Sequence, residues 1–466
     1  MADADLNTQH PDYVATEAVR TVARNLYDGA ATVKAAGDTY LFQGDNETDS
    51  NYLLRSARAV YENYPAKVVN ARMGLLFRKA PTRKLPPRLA EFENNVDKRD
   101  TSASVFFEGV VRNAQVDGIS WVAVDMPTAP EAGFASKGEE AKAQHRPFFE
   151  SIPAANVIDW EVDPVDNKLL WAVVTETEKA VRETPGVAAE DVTIHKVWTR
   201  TTWERYEDDA LVSHGENTSG VVPLVPFFGI KNTDFSGWPV TRDIHDHAIL
   251  IYNKTSDKDW FEYLMAHPVA YVIGPKKPER FDTGQGFFVD SSQAGSAQIS
   301  LGYLEPSCSG LASIQESIDR LVESIYQIAL AQAKKDSAQV QSADSQREDR
   351  HEFKSSLIST SLAAESAESQ AWQIMAIWAG DTGAIEVSYN RDFDDASIDS
   401  GMISIMSGLV ASDQLTLKTF LETLQAGEQL PPTFDVAAEL AALEQQRAAR
   451  AETNIDITAE EHSDGQ

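Results

Sequence analysis

Leu311-Ala-Ser-Ile-Gln-Glu-Ser-Ile-Asp-Arg-Leu-Val-Glu-Ser-Ile-Tyr-Gln-Ile-Ala329 opens a run of 69 residues, ending at Ala379, that holds neither glycine nor proline. The whole chain has 25 Gly and 20 Pro, so about seven would fall in such a run by chance, and their absence predicts a largely helical region. Ile314, Ile318, Leu321, Ile325 and Ile328 alternate steps of four and three, the spacing of a helix that buries one stripe along a seam. A polar insert, 336–350, follows, with Val340 its one sizeable apolar side chain. Periodicity then resumes with Leu357, Ala364, Ala371 and Trp378, interleaved with Phe353, Ala367 and Ile374. Two long helices divided by a polar segment suit an architectural protein. The same pattern also fits two helices of an ordinary α+β domain.

Outward from this run, Asp243 to Ala266 reads as a helix, with Ile244, Ala248, Ile251, Tyr252, Thr255, Trp260 and Leu264 on its buried face. Between the two, from Val269 to Leu304, short strand-like pieces alternate with Gly and Pro. Toward the N-terminus, 11–36, 51–77 and 104–115 read as helices, the second stopped by Pro81, Pro86 and Pro87. A buried strand, Gly118 to Asp125, leaves the third. Thr128 to Gln144 is a Gly/Ala/Glu/Lys-rich surface loop. The β-branched and aromatic segments 148–153, 156–162, 169–177 and 193–206 then form an antiparallel meander. Gly220 to Phe228 closes it as an edge strand or connector, because its two prolines cannot donate to a ladder. A strand at 385–390, one or two helices within 400–424 and an amphipathic helix at 435–450 complete the chain, and the last dozen or so residues are expected to be disordered.

With 466 residues, 42% hydrophobic and 9% aromatic, the chain exceeds a single core and should hold two or three globular domains. One cysteine, Cys308, excludes an intrachain disulfide framework and fits a reducing compartment. The acidic start, Met-Ala-Asp-Ala-Asp-Leu-Asn, is not a secretory signal, and the longest apolar run, Leu264 to Gly274, is too short to cross a bilayer. Forty-one basic against 72 acidic residues leave a net charge of −31. A surface so negative disfavours tight binding to nucleic acid or to an anionic membrane, yet suits a wall that DNA slides past.

Chemistry is hard to find. No G-x-x-x-x-G-K-[ST], H-E-x-x-H or G-x-S-x-G occurs, and Gly284-Gln-Gly286 lacks a third glycine. His245 and His247 stand two apart and face away from each other on a helix, so they do not share a metal ion. No catalytic, cofactor or metal site is expected, and the chain does not read as an enzyme.

The order of blocks resembles the portal proteins of tailed bacteriophages, in particular a subgroup defined by an uncharacterised phage domain. The likeness spans roughly 10–430. It is carried by His10-Pro-Asp-Tyr13, Tyr40-Leu41, Val68 to Phe77, Asp117 to Pro127 and Arg146 to Trp160. Further along it rests on Gly220 to Phe228, Asn253-Lys-Thr-Ser-Asp257, Leu301-Gly-Tyr-Leu-Glu-Pro306, the helix from Leu311 and Tyr389-Asn-Arg-Asp-Phe393. The Pro223/Pro226 connector departs from the Asn-rich pattern expected after that strand, and the section between the stem helices is short and Gly-rich.

The resemblance implies an α+β, multidomain subunit. An N-terminal α/β wing would span 1–235, a stem and clip 236–335, a tunnel loop with helical wing and crown-proximal region 336–430, and a C-terminal helix with an acidic tail 431–466. It implies a homo-oligomeric ring, twelve-fold in virions, at one capsid vertex, through which double-stranded DNA passes without sequence preference. Terminase motor, major capsid protein, scaffold and head–tail adaptor are the implied partners, with assembly in the host cytoplasm and no membrane. Lys334, Lys335, Arg347 and Arg350 would touch DNA in the tunnel. Ile314, Ile318, Leu321, Ile325 and Ile328 would pack the subunit or stem seam. A coiled-coil scaffold or other virion assembly protein without a channel is the alternative.

Overall fold

The computed structural model describes residues 5–127, 136, 143–179, 191–267, 269–276, 286–291, 299–304, 310–329, 343–393, 400–412, 414–426, 429–430 and 434–446. They fall in two compact units, Met1–Arg391 and Asp392–Gln466. The surface loop expected at Thr128 to Gln144 lies almost wholly outside the described residues, as do Cys308 and the C-terminal tail.

The first unit begins with α1 (Pro11–Asp28) and α2 (Ala30–Ala35), then α3 (Asp49–Arg58) and α4 (Tyr64–Leu76). Sequence periodicity joins each pair into one helix, and local chemistry breaks both. Gly29 takes φ 94, outside the helical region. Asn63 accepts from the N–H of Ala66 at 2.9 Å as an N-cap, and Pro65 fills the first turn where its missing donor costs nothing. At the start of α1 the His10 ring does the capping, accepting from Asp12 N–H at 3.1 Å and stacking on Trp160 at 4.1 Å.

Next come β1 (Thr82–Lys84), α5 (Pro87–Ala90), α6 (Ala103–Asp117), β2 (Ile119–Asp125), β3 (Phe148–Pro153), β4 (Val157–Val162), β5 (Leu169–Lys179), β6 (Asp191–Thr199), β7 (Thr202–Glu207), β8 (Ala210–Glu216) and β9 (Leu224–Phe228). The meander is the five-stranded antiparallel sheet β4-β5-β6-β7-β8. Two expected members are not in it. β3 and the proline-bearing β9 flank β2 in a separate sheet, β3-β2-β9, where β9 is indeed an edge. Burial explains the choice: β2 is buried along nearly its whole length, so it needs a partner on each side. The two sheets share a core in which Trp121, Trp160, Trp198, Ile152 and Leu224 meet.

Gly118, at the turn from α6 into β2, has φ 90, and a Cβ there would run into the carbonyl oxygen of Gly237. Gly118→Ala is therefore expected to destabilise the unit by about 2 kcal/mol or more, read as a lower denaturant midpoint at unchanged slope. An unchanged midpoint would show that the backbone moves aside freely.

After β10 (Ile230–Lys231) and β11 (Gly237–Trp238) the chain enters α7 (His245–Ala266), β12 (Val269–Gly274), β13 (Gly286–Asp290), β14 (Ser300–Leu304), α8 (Leu311–Ala329), α9 (Ala343–Ala379) and β15 (Glu386–Ser388). Phe353, Leu357, Ala364, Ala367, Ala371 and Ile374 of α9 are all buried, as their spacing predicts. Small residues let α9 lie close on β9 and β2. β15 returns to pair antiparallel with β1.

Beneath that pair lies a buried ionic group. The side chains of Arg83 and Glu368 are 1% and 0% exposed, with Nε donating to Oε1 at 2.5 Å. Trp372 Nε1 and Tyr389 Oη also donate to the Glu368 carboxylate, and Arg83 Nη1 donates to Ser104 Oγ. Burial, with Glu368 beside it, drives the Tyr389 phenol well above its usual pKa. One cluster thus ties β1, α6, α9 and the residue that follows β15.

In the second unit, α10 (Ser400–Ala411) packs with α11 (Leu417–Ala426), and 436–446 is helical. Asp435 caps that last helix, accepting from the N–H of Ala437 and Ala438.

Candidate functional site

α7 and α8 form an antiparallel hairpin. Near its root Ser324 Oγ meets His247 Nε2 at 3.1 Å, and further out Lys258 Nζ donates to Gln315 Oε1 at 2.7 Å. The root is set firmly in the first unit. Ile244, Ala248, Ile251 and Tyr252 are buried. Asn253 accepts from Phe42 N–H at 2.8 Å and donates to Tyr40 O at 2.7 Å. Arg55 of α3 forks onto Glu47 at 2.8 Å through both Nε and Nη2, and its Nη1 reaches Ser256 Oγ and Asp257 Oδ1. Arg58 pairs with Asp259 at 3.1 Å. The Asn253-Lys-Thr-Ser-Asp257 block therefore braces α7 against α3.

Beyond Ser256 the helix leaves the core. Trp260, expected on the buried face, is half-buried there and Leu264 is exposed, while Thr255, just before Ser256, is also only half-buried. The expected burial fails there because the inward stripe has no core left to face. At the outer end sits a mixed three-stranded sheet, β13-β12-β14. β12 runs parallel to β13, with Tyr271 opposite Phe287, and antiparallel to β14, with Tyr271 opposite Gly302. Tyr271 covers Gly302 so closely that a Cβ at that glycine would strike the phenol ring.

The alternation of side chains puts Phe287 and Val289 on one face and Leu301 and Tyr303 on the other. All four are exposed, at 44%, 45%, 72% and 64%, and among the described residues the sheet's neighbours are chiefly its own strands. Val272 of the central strand, on the Leu301/Tyr303 face, is buried, but a three-stranded sheet that exposes apolar groups on both faces is marginal by itself. Its shape asks for a partner. Sequence reading recognises strand-like pieces here but assigns none of these four residues a role. The alternation is visible in the sequence, whereas the exposure of these side chains is not.

The residues expected to act are scattered. In the seam, Ile318 and Ile325 are buried, with α8 laid against α7 of the same subunit. Ile314 and Leu321 are half-buried and Ile328 is exposed. The middle of the stripe is thus covered from within the subunit, while its margin is left partly or wholly exposed. Arg347 and Arg350 lie in the first turns of α9, which begins inside the segment read as a polar insert. Lys334 and Lys335 lie outside the described residues.

His245 and His247 turn to different partners, Thr241 Oγ1 at 3.0 Å and Ser324 Oγ. No group of three or more His, Cys, Asp or Glu among the described residues is placed to hold a metal ion, and no described helix is long and apolar enough to cross a membrane.

Burial pulls His245 down to a pKa of about 4, against the upward pull of Asp246 and Asp243. The unfolded chain therefore takes this proton first as pH falls. The neutral ring's contribution is complete above an unfolded pKa of about 6.5 and is lost as pH drops to about 4, roughly 3 kcal/mol in all. Comparing His245→Gln with the parent between those pH values should show the variant losing less stability on acidification. Parallel losses would mean that His245 is hydrated in the fold.

A family profile described as a domain of unknown function (DUF4055) matches residues 242–379, from the start of α7 to the end of α9. Comparison with the curated proteins finds no match. Among solved structures, a chain of the neck of the native GTA particle, computed with C12 symmetry, aligns over 87% of this chain and 100% of its own length, at 11% identity and a TM-score of 0.38. A chain of the neck of the empty GTA particle, computed with C6 symmetry, aligns over 83% and 96%, at 11% identity and a TM-score of 0.36. TM-scores this low do not establish a shared fold.

Proposed function

We propose that the chain is a non-enzymatic subunit of a closed ring that conducts double-stranded DNA at a phage capsid vertex, a portal protein. The carrying observation is the α7–α8 hairpin, rooted in a firm core and ending in a sheet that exposes apolar side chains on both faces. Repeated head to tail around an axis, such hairpins become staves, and the sheets acquire neighbours; a heterologous contact that closes makes a ring. The α7 helix alone, 22 residues long, spans about 33 Å. Asp259, Glu262, Glu316, Asp319 and Glu323 outnumber Lys254, Lys258 and Arg320 on the hairpin, which would let a polyanion pass without adhering. The free face of the sheet offers a docking place for a motor or adaptor protein.

A channel-less coiled-coil scaffold is the second reading. It would use the α8 seam, and the burial of Ile318 and Ile325 inside the subunit counts against it. Light scattering on the purified protein, with negative-stain images, separates the readings. Closed rings with a central hole are expected. A stable monomer at micromolar concentration, or a solid dimer or trimer, would refute the portal assignment.

A further inference from the structure

A groove of about 640 Å³ runs between β9 and α9. Leu224, Pro226 and Phe228 of β9, Phe235, and Ile374 and Ile377 of α9 are among its lining. β9 is an edge strand, and Pro226 brings no donor to it, so the groove suits incoming side chains better than an added strand. Beside it, Ile358, Leu362, Ser366, Gln370, Gln373 and Ile377 of α9 are exposed, in steps of four, four, four, three and four. They make one stripe about 28 Å long. No exposed residue from 355 to 377 carries a charge, although 24% of the chain is charged. Loss of charge is what marks the centre of a protein interface.

The charged side chains that do line the groove are Lys168, Lys231 and Asp234. Two basic against one acidic reverses the balance of the chain, 41 to 72. An acidic partner is the one such a groove attracts, and another copy of this chain is acidic.

The complementary surface stands on the opposite flank. The two sheets are stacked with β9 toward the β4–β5 end, since the groove also reaches Leu169 at the start of β5. β3 lies toward the other end: Phe148 shares a cavity of about 260 Å³ with Trp203, Arg205 and Ser213, and Lys196 of β6 reaches Glu150 of β3 at 3.3 Å. β8, the last strand of the meander, is therefore on the flank away from the groove. Leu211 and Val212 on it are 51% and 56% exposed. The β7–β8 hairpin, 202–216, carries five acidic residues against a single Arg205.

We propose that the β7–β8 hairpin of a second copy docks in the α9–β9 groove, its Leu211 and Val212 edge against the uncharged stripe and its carboxylates toward Lys168 and Lys231. Donor and acceptor surfaces lie on opposite flanks of one subunit, so the contact is head to tail and can close. The inference rests on the ring reading and adds the place where neighbouring subunits meet.

Cross-linking tests it. Leu211→Cys and Ile377→Cys are made in separate copies, each with Cys308→Ser, and the two are assembled together. A short bis-maleimide should join them as a dimer, and should join neither variant to itself. Rings that give no mixed dimer would overturn the hairpin contact and leave the ring reading standing. Cross-linking within one variant alone would mean a symmetric contact and overturn it equally. If no rings form, the ring reading fails and this contact with it. As an independent measurement, Ile377→Asp should raise the protein concentration at half-assembly about tenfold or more above that of Ile377→Lys, because like charges then face each other. Equal effects of the two would show that the groove does not meet an acidic surface.

Discussion

Glu368→Ala is expected to cost the first unit about 3–5 kcal/mol, the usual penalty for breaking a buried ion pair from one side. The side chain is wholly buried, and its carboxylate is shared by Arg83, Tyr389 and Trp372. Removing it leaves the buried guanidinium with only the half-exposed Glu93, 3.7 Å away, as counter-charge, and two donors without an acceptor. The paired replacement Arg83→Met, Glu368→Met should lose much less, because it removes the charge problem along with the pair. Urea unfolding of the two single variants and the double variant measures the coupling. If Glu368→Ala unfolds at nearly the parental midpoint, or if the double variant is no better than the single, the cluster is not what holds α9 to β1 and β15.

Leu301→Lys combined with Tyr303→Lys is expected to abolish ring assembly while leaving the subunit's own stability within about 1 kcal/mol of the parent. Both side chains are exposed in the isolated subunit, so charging them disturbs no internal packing. In a ring the same residues would meet a neighbouring sheet or a docked partner, where unpaired ammonium groups cannot be left dry. Light scattering should report subunit mass for the variant and ring mass for the parent. Normal rings from the variant would remove this face of the sheet from the subunit interface. A large fall in melting temperature would show that the sheet is covered by its own chain.

Helix and strand types could be read from residue order because short-range physics sets them. The small-residue repeat of α9 reports its own burial, since only a core position repeatedly selects Ala364, Ala367 and Ala371 beside Leu357. Alternation and turn residues marked the strands of the meander. Partner choice was not legible in the same way. β3 and β9 carry the same strand chemistry as β4 to β8, yet they pair with β2. That selection depends on which sheet β2 lies in and on its need for neighbours along both edges. The breaks at Gly29 and Asn63 were encoded locally, by a positive φ and by a cap with a following proline, but continuing hydrophobic periodicity hid them.

The site divides in the same manner. The Asn253 block and the two helices α7 and α8 stood out in the sequence, but Asn253, Ser256 and Asp257 turn out to serve the root, through contacts with α3 and the Tyr40–Phe42 segment some two hundred positions away. Phe287, Val289, Leu301 and Tyr303 look like any strand residues until the fold is seen to leave all four exposed. The α8 stripe shows the converse, for an a/d repeat states that a helix face will be buried without saying by what.

By itself, then, the order of residues determined the α+β character, the acidity of the surface, the long glycine-free helices and the lack of familiar catalytic motifs, because composition and local periodicity are properties of neighbours along the chain. Only the tertiary structure decided that Ile318 and Ile325 are covered by α7, that Arg83 meets Glu368, that Arg72 meets neutral partners among the described residues, and that Phe287, Val289, Leu301 and Tyr303 are left exposed. Those are pairings between distant segments, set by where the fold brings surfaces together and where it leaves one uncovered.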